Sequence, residues 1–305
     1  MMRVVVDVHG PNAARWREAL QQALPDATIV APGAPEADYA AVWRPSPDLF
    51  TRTRVRAAVF NLGAGVDALL ALPTLPATLP VFRLVDAGMA EQMAEYAVAA
   101  VLRVFRDLDV YAAAQAARQW TPRERRDKRS FGIGVLGLGA LGRNVLEALR
   151  PFGFPLHGYA RRNVAIDGVT TYAAPHLREF LGGCAVCICL APSTPQTRGL
   201  FDRERLAWLP AGAHLVNLAR GDLVVEADLL AALDAGRLGG ATLDVFATEP
   251  LPASHAFWHH PKVVVTPHVS AVTLLPESAA QVADGIRALE AGREPPGRVD
   301  RARGY

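Results

Sequence analysis

Short apolar runs separated by segments of mixed character set the frame of this chain. Between residues 3 and 82 the runs fall at 4–8, 28–30, 39–43, 57–60 and 81–84, with helical or loop stretches between them. Strands alternating with helix-length segments predict a small parallel α/β unit. Residues 66–80, rich in Leu, Pro and Ala, read as a short helix followed by a connecting loop. From Gly88 to about Trp120 the chain is dense in Ala, Val, Leu, Glu and Arg, with no Gly or Pro after its start. That stretch predicts one long helix bridging two domains. Residues 121–129, mostly charged, read as an exposed loop.

A second α/β set opens at Phe131, with strands expected near 132–136, 155–159, 185–190, 213–217, 240–244 and 262–265. Helices are expected near 140–150, 174–182, 203–208 and 226–235. The last helix, about 276–291, is expected to pack back on the first domain, because 1–87 is short for an independent core.

Length agrees with this division, since 305 residues exceed one average domain and suit two. The composition, 51% hydrophobic and 20% charged with a formal net charge of +2, carries no excess that favours nucleic acid or an anionic membrane. The N-terminal Met-Met-Arg-Val-Val-Val-Asp-Val-His is a strand pattern without the apolar core of a signal peptide. No run approaches about 18 apolar residues, so no transmembrane helix is expected and a cytoplasmic location follows by default. All three cysteines lie in Cys184-Ala-Val-Cys187-Ile-Cys189-Leu. In an apolar strand pattern they read as small buried hydrophobes, with neither a disulfide nor a metal site.

Candidate chemistry begins at Gly137-Leu-Gly139-Ala140-Leu141-Gly142, which follows the apolar run 133–136 and opens a helix. The first glycine permits a tight turn, the second lets a pyrophosphate approach the backbone, and the third lets helix and strand pack closely. About 20 residues on, an NAD enzyme places an acid on the ribose hydroxyls. This chain has Tyr159-Ala-Arg161-Arg162-Asn163 instead. Two guanidiniums without an acid favour NADP(H), with NAD(H) as the second choice. In the first domain Leu62-Gly63-Ala64-Gly65-Val66-Asp67 follows the run 57–60. Its glycines are expected to turn consecutive N–H groups into a nest for a carboxylate.

Three late segments complete the set: Asn217-Leu-Ala-Arg220-Gly221, Asp244-Val-Phe-Ala-Thr-Glu249-Pro250 and Thr266-Pro-His268-Val. Each follows a strand-like run, and in an open parallel sheet strand C-termini converge on one crevice. Arg220 offers a planar fork for a carboxylate and carbonyl. His268 offers a proton for a carbonyl oxygen, and Glu249 a partner that favours the imidazolium. This is the equipment for reducing a 2-keto acid.

These motifs, with Leu243-Asp-Val-Phe-x-x-Glu-Pro and Gly221-Asp-Leu-Val-Val-Glu after the arginine, resemble the D-2-hydroxyacid dehydrogenase family. Leu62-Gly-Ala-Gly-Val-Asp-Ala-Leu-Leu, Gly88-Met-Ala-Glu-Gln-Met-Ala-Glu-Tyr and the terminal Val299-Asp-Arg-Ala-Arg-Gly-Tyr305 are similar to its glyoxylate/hydroxypyruvate reductase A subgroup. The resemblance implies a Rossmann-type doubly wound parallel sheet as cofactor domain, residues 99–274. It also implies a smaller flavodoxin-like substrate domain built from both chain ends, 1–98 and 275–305, and a cleft that closes on ligand. It implies a homodimer joined through the cofactor domains, Asp244 orienting the nicotinamide amide, and Trp43 walling off a small substrate pocket beside Ala64 and Gly65. Close relatives often carry an arginine near Leu274, which this chain lacks.

The expected activity is NADPH-dependent reduction of small 2-keto acids, glyoxylate to glycolate and hydroxypyruvate to D-glycerate. A different 2-hydroxyacid specificity is the nearest alternative. Formate oxidation on the same scaffold is disfavoured by Glu249, where such relatives tend to carry a neutral amide. A dinucleotide-sensing corepressor would keep the fold, yet the chain lacks the added tails such a role favours.

Overall fold

The computed structural model describes residues 1–9 and 12–305. The chain begins with β1 (Arg3–Val8), α1 (Ala13–Ala23), β2 (Thr28–Val30), β3 (Glu36–Trp43), α2 (Leu49–Arg52), β4 (Arg54–Asn61), α3 (Asp67–Leu70) and β5 (Val81–Arg83). The five strands form a parallel sheet in the order β2-β1-β3-β4-β5. That is the flavodoxin-like order, with its direction reversing between β1 and β3. The near-continuous apolar runs reflect burial on both faces, as all-parallel sheets require. Val4, Val5, Ala40, Val42 and Val59 are fully buried.

The next elements are α4 (Met89–Phe105), α5 (Leu108–Ala116), β6 (Ile133–Leu136), α6 (Ala140–Leu149), β7 (Leu156–Ala160), β8 (Thr170–Ala173), α7 (Leu177–Gly182) and β9 (Val186–Cys189). They continue through α8 (Arg203–Trp208), β10 (His214–Asn217), α9 (Glu226–Asp234), β11 (Gly240–Leu243) and β12 (Val263–Val265). Their seven strands pair in parallel in the order β12-β11-β10-β9-β6-β7-β8. This is the doubly wound arrangement, with the switch point between β6 and β9. Met93, Ala97, Ala100 and Val101 of α4 recur at helical spacing and join the core of Ile133, Val135, Val145 and Leu149. All of β9 is buried, Cys187 and Cys189 with it, and Cys184 beside it donates its thiol to the Phe180 carbonyl.

Two expectations change here. The long helix over 88–120 is two helices, broken at Asp107, whose φ is 53°. Asp tolerates the left-handed region better than most residues, and its carboxylate accepts from Arg126 Nη2 at 2.6 Å. No Gly or Pro is needed to stop the helix. The second sheet also holds a strand absent from the sequence reading, β8, at the sheet edge. Its residues are half-buried or exposed and lack an apolar run.

The last helix, α10 (Leu275–Glu290), returns to the first sheet. Gly285 lies so close to the Phe60 ring that a Cβ there would collide with it. Arg287 Nη2 donates to the Ala23 carbonyl at 2.6 Å, and Tyr39 donates its hydroxyl to Glu290 at 2.5 Å. Backbone bonds from Arg83 to Gly297 and from Val299 to Val81 tie the chain end to β5. The contacts divide the chain into one unit of residues 1–89 with 272–305 and another of residues 90–271. No helix among the described residues is long and apolar enough to cross a membrane.

Candidate active site

β10, β11 and β12 are neighbours in register, with Asn217 opposite Leu243 and Leu243 opposite Val265. The turns that follow therefore emerge side by side at one edge of the sheet. Asn217 is buried and shapes the first turn, donating Nδ2 to the Arg220 carbonyl at 2.9 Å and accepting from the Ala219 N–H at 3.2 Å. Arg220 donates Nη1 to the Ala219 carbonyl at 2.7 Å. Gly221 presses on the second turn, and a Cβ there would overlap the backbone of Phe246 and Ala247. Glycine at 221 is thus a packing requirement between two turns.

The second turn carries Glu249. One of its oxygens accepts from the Phe246 N–H at 3.2 Å, and the other lies 2.9 Å from His268 Nδ1. Glu226, at the start of α9, accepts from the Ala247 N–H at 3.2 Å and lies 3.3 Å from His255 Nε2. His255 Nδ1 accepts from the Phe257 N–H, so its Nε2 carries the proton given to Glu226. The same logic applies to His268. With Nδ1 facing a carboxylate, Nδ1 holds a proton and Nε2 is the atom left for a reacting group. His268 and Glu249 are both partly exposed.

His268 has a φ of 56°, in the left-handed region. Asp244, fully buried, accepts from the N–H groups of His268, Val269 and Ser270 and from the Thr266 hydroxyl. The resemblance gives Asp244 the orientation of the cofactor amide as well, and Oδ2 accepts here from the Ser270 N–H. Asn217, Glu226, Tyr96 and Thr266 escaped the sequence reading as site residues, although all four stand inside the quoted motifs.

At the switch point, the fingerprint glycines differ in what surrounds them. Gly137 has a φ of 111° and no room for a side chain beside Leu190, while Gly142 packs directly on the Gly137 carbonyl. Gly139 faces open space, with nothing within 4 Å of a Cβ position, and it caps α6. Ala140 is exposed and Leu141 half-buried at the first turn of that helix. Such an N-terminus presents backbone N–H groups and a positive dipole end to an anion. Arg161 and Arg162, both exposed, follow β7, and the Gly137 N–H donates to Tyr159 at 2.9 Å. The arginines and the fingerprint therefore share one end of adjacent strands. These residues fit a phosphorylated dinucleotide.

In the smaller unit, Trp43 ends β3, and its indole covers Gly63 so closely that a Cβ there would overlap the ring. Asn61 Nδ2 donates to the Gly63 and Gly65 carbonyls, each at 2.9 Å, which folds the 63–65 turn around Ala64. Gly63 has no left-handed φ, so the nest geometry expected of this turn is not what demands glycine. The indole does. Leu274 packs on Gly88. Among the described residues, no three His, Cys, Asp or Glu side chains gather around a metal position.

Two histidines elsewhere in the larger unit titrate low. Burial, with the charges of Arg103 and Arg126, pushes His214 down to about 3, and Nε2 pairs with Thr242 Oγ1 at 2.9 Å. Burial also lowers His157.

A glycine fingerprint at the switch point and an imidazole–carboxylate pair at outer strand ends of one doubly wound sheet define the dinucleotide-dependent dehydrogenase class. Residues 98–270 match the profile of the D-isomer specific 2-hydroxyacid dehydrogenase NAD binding domain. A glyoxylate/hydroxypyruvate reductase A of Serratia proteamaculans (strain 568) is 47% identical over 303 residues, spanning 96% of this chain and 97% of the relative. Among solved structures, a D-isomer specific 2-hydroxyacid dehydrogenase of Xanthobacter autotrophicus Py2 in complex with NADPH and MES superposes with a TM-score of 0.94 at 38% identity, covering 100% of both chains. An NADPH-dependent glyoxylate/hydroxypyruvate reductase of Sinorhizobium meliloti in complex with NADP and sulfate does so with a TM-score of 0.93 at 35% identity, again covering 100% of both. The chain belongs to the D-isomer specific 2-hydroxyacid dehydrogenase family.

Proposed function

We propose that this chain is an NADPH-dependent reductase of small 2-keto acids, with glyoxylate and hydroxypyruvate as its first substrates. The observation that carries the reading is the His268 Nδ1 to Glu249 Oε2 contact of 2.9 Å, made between the turns after β12 and β11, with the Arg220 turn following the next strand, β10. The Serratia and Sinorhizobium relatives, named for this activity, support it. Gly137, Gly139, Ala140, Leu141 and Gly142 hold the pyrophosphate, and Arg161 and Arg162 the 2′-phosphate. The cofactor, when bound, supplies a hydride to the keto carbon. Arg220 binds the substrate's carboxylate and carbonyl through its fork. His268, as imidazolium, gives its Nε2 proton to the carbonyl oxygen, so that the carbonyl becomes a hydroxyl and the imidazole becomes neutral. Glu249 accepts from the Nδ1–H throughout and stabilises the charged form. Trp43, Ala64 and Gly65 are the further substrate-binding residues of this reading, the indole limiting substrate size. Asp244 would orient the nicotinamide amide, and it also holds the turn that carries His268.

Loss of NADPH absorbance with glyoxylate, abolished in His268→Ala, tests the reading. Tight NADPH binding without turnover of any 2-keto acid would favour a sensor instead. We further propose a homodimer through the larger unit and a cytoplasmic location. α5 buries none of its residues, Leu108 is 51% exposed and Trp120 97% exposed, an apolar surface of the kind that marks protein interfaces. Sedimentation of the full chain as a monomer at micromolar concentration would refute the dimer.

A further inference from the structure

The His268 turn is held by more than its own strand. Three successive backbone N–H groups converge on Asp244: His268 on its carbonyl at 2.8 Å, Val269 on Oδ1 at 2.9 Å and Ser270 on Oδ2 at 2.8 Å. Consecutive N–H groups converge on one residue where a turn passes through a left-handed residue, and His268 with φ 56° supplies that curl here. That conformation costs energy for a residue bearing a Cβ and persists only where its surroundings enforce it. The enforcing partner beyond the turn's own amides is Thr266, whose hydroxyl lies 2.6 Å from Asp244 Oδ1 and 2.6 Å from the Tyr96 hydroxyl.

The proton directions follow from the chemistry. A carboxylate only accepts, so Thr266 donates to Asp244. Its single proton is then used, and Tyr96 must donate to Thr266. Burial raises the Tyr96 pKa, which keeps the phenol a donor through the neutral range. Tyr96 stands on α4 between Met93 and Ala97, residues of the larger unit's core. A row of hydrogen bonds therefore runs from a core helix to the backbone that orients the imidazole.

We propose that Tyr96 is a positioning residue for proton transfer, holding the 266–270 turn through Thr266 and Asp244 in the conformation that keeps His268 on Glu249. This rests on His268 being the proton donor. Tyr96→Phe removes only the hydroxyl, and Thr266→Val, Thr266→Ser and the Tyr96→Phe/Thr266→Val pair complete the series in the full chain. In Tyr96→Phe and in Thr266→Val, kcat with glyoxylate is expected to fall about tenfold, the scale of one hydrogen bond, with KM and NADPH Kd within about twofold. The pair falls no further than Thr266→Val alone, because the two act in series, and Thr266→Ser retains activity. In the unliganded chain, hydrogen exchange of the 268–270 amides speeds up in Tyr96→Phe while that of β10 does not change.

Wild-type kcat and unaltered exchange in Tyr96→Phe would overturn the proposal, as would losses that simply add in the pair. If the wild type turned over no 2-keto acid, the functional reading would fall and the catalytic part of this proposal with it. Wild-type turnover beside an unaffected Tyr96→Phe overturns the proposal alone.

Discussion

Gly221→Ala is the sharpest test of how the site is built. A Cβ at residue 221 meets not a flexible side chain but the backbone of Phe246 and Ala247. The two turns must part by about 1 Å before that atom reaches even the 3.0 Å that real Cβ atoms keep from their neighbours. Parting them moves Arg220 relative to Glu249, because Phe246 N–H is bonded to Glu249 Oε1 at 3.2 Å and the turn shifts as a piece. It also draws Glu249 away from His268. A misplacement of about 1 Å at reacting groups costs roughly 100-fold in rate, and forced overpacking costs about 1–3 kcal/mol of stability. We therefore expect kcat/KM for glyoxylate to drop roughly 100-fold, with a folded protein of lowered Tm. The assay is steady-state NADPH oxidation alongside a thermal melt. Gly182→Ala serves as control, since the nearest atom to its Cβ is Trp208 O at 3.9 Å. A Gly221→Ala protein with wild-type kcat/KM would refute the reasoning, because the turns could then not be packed as described.

Replacing Arg161 and Arg162 together with serine is expected to lower the NADPH over NADH preference by about tenfold or more, the loss of at least one charged hydrogen bond; equal specificity constants in the wild type would sink the assignment. The buried His214, with a folded pKa of about 3 against about 6.5 unfolded, contributes stability that is complete above the unfolded value and lost as pH falls toward the folded one. By linkage, roughly 2 kcal/mol has gone at about pH 5. His214→Gln keeps a partner for Thr242 without titrating, so urea denaturation should show a smaller loss between about pH 7.5 and pH 5 than in the wild type; superimposable pH profiles would count against it.

Residue order alone settled the larger features. The alternation of apolar runs predicted two parallel α/β sets, because a strand buried on both faces is apolar throughout. The fingerprint glycines were legible from their spacing between an apolar run and a helix, and Arg220, Glu249 and His268 as candidates because their side-chain chemistry is local and follows such runs. What stayed hidden depended on neighbours distant in sequence. The break at Asp107 answers to Arg126, and β8 has an edge strand's mixed surface with no apolar run to betray it. Gly63 and Gly221 look like turn glycines, yet one is required by an indole from β3 and the other by the backbone after β11. Sequence put an imidazole, a carboxylate and a guanidinium at three strand ends. Only tertiary structure decided that β10, β11 and β12 are neighbours, that His268 turns left-handed onto Asp244, and that Tyr96 reaches Thr266. Strand order and hydrogen-bond direction are properties of packing between segments, and no single segment carries them.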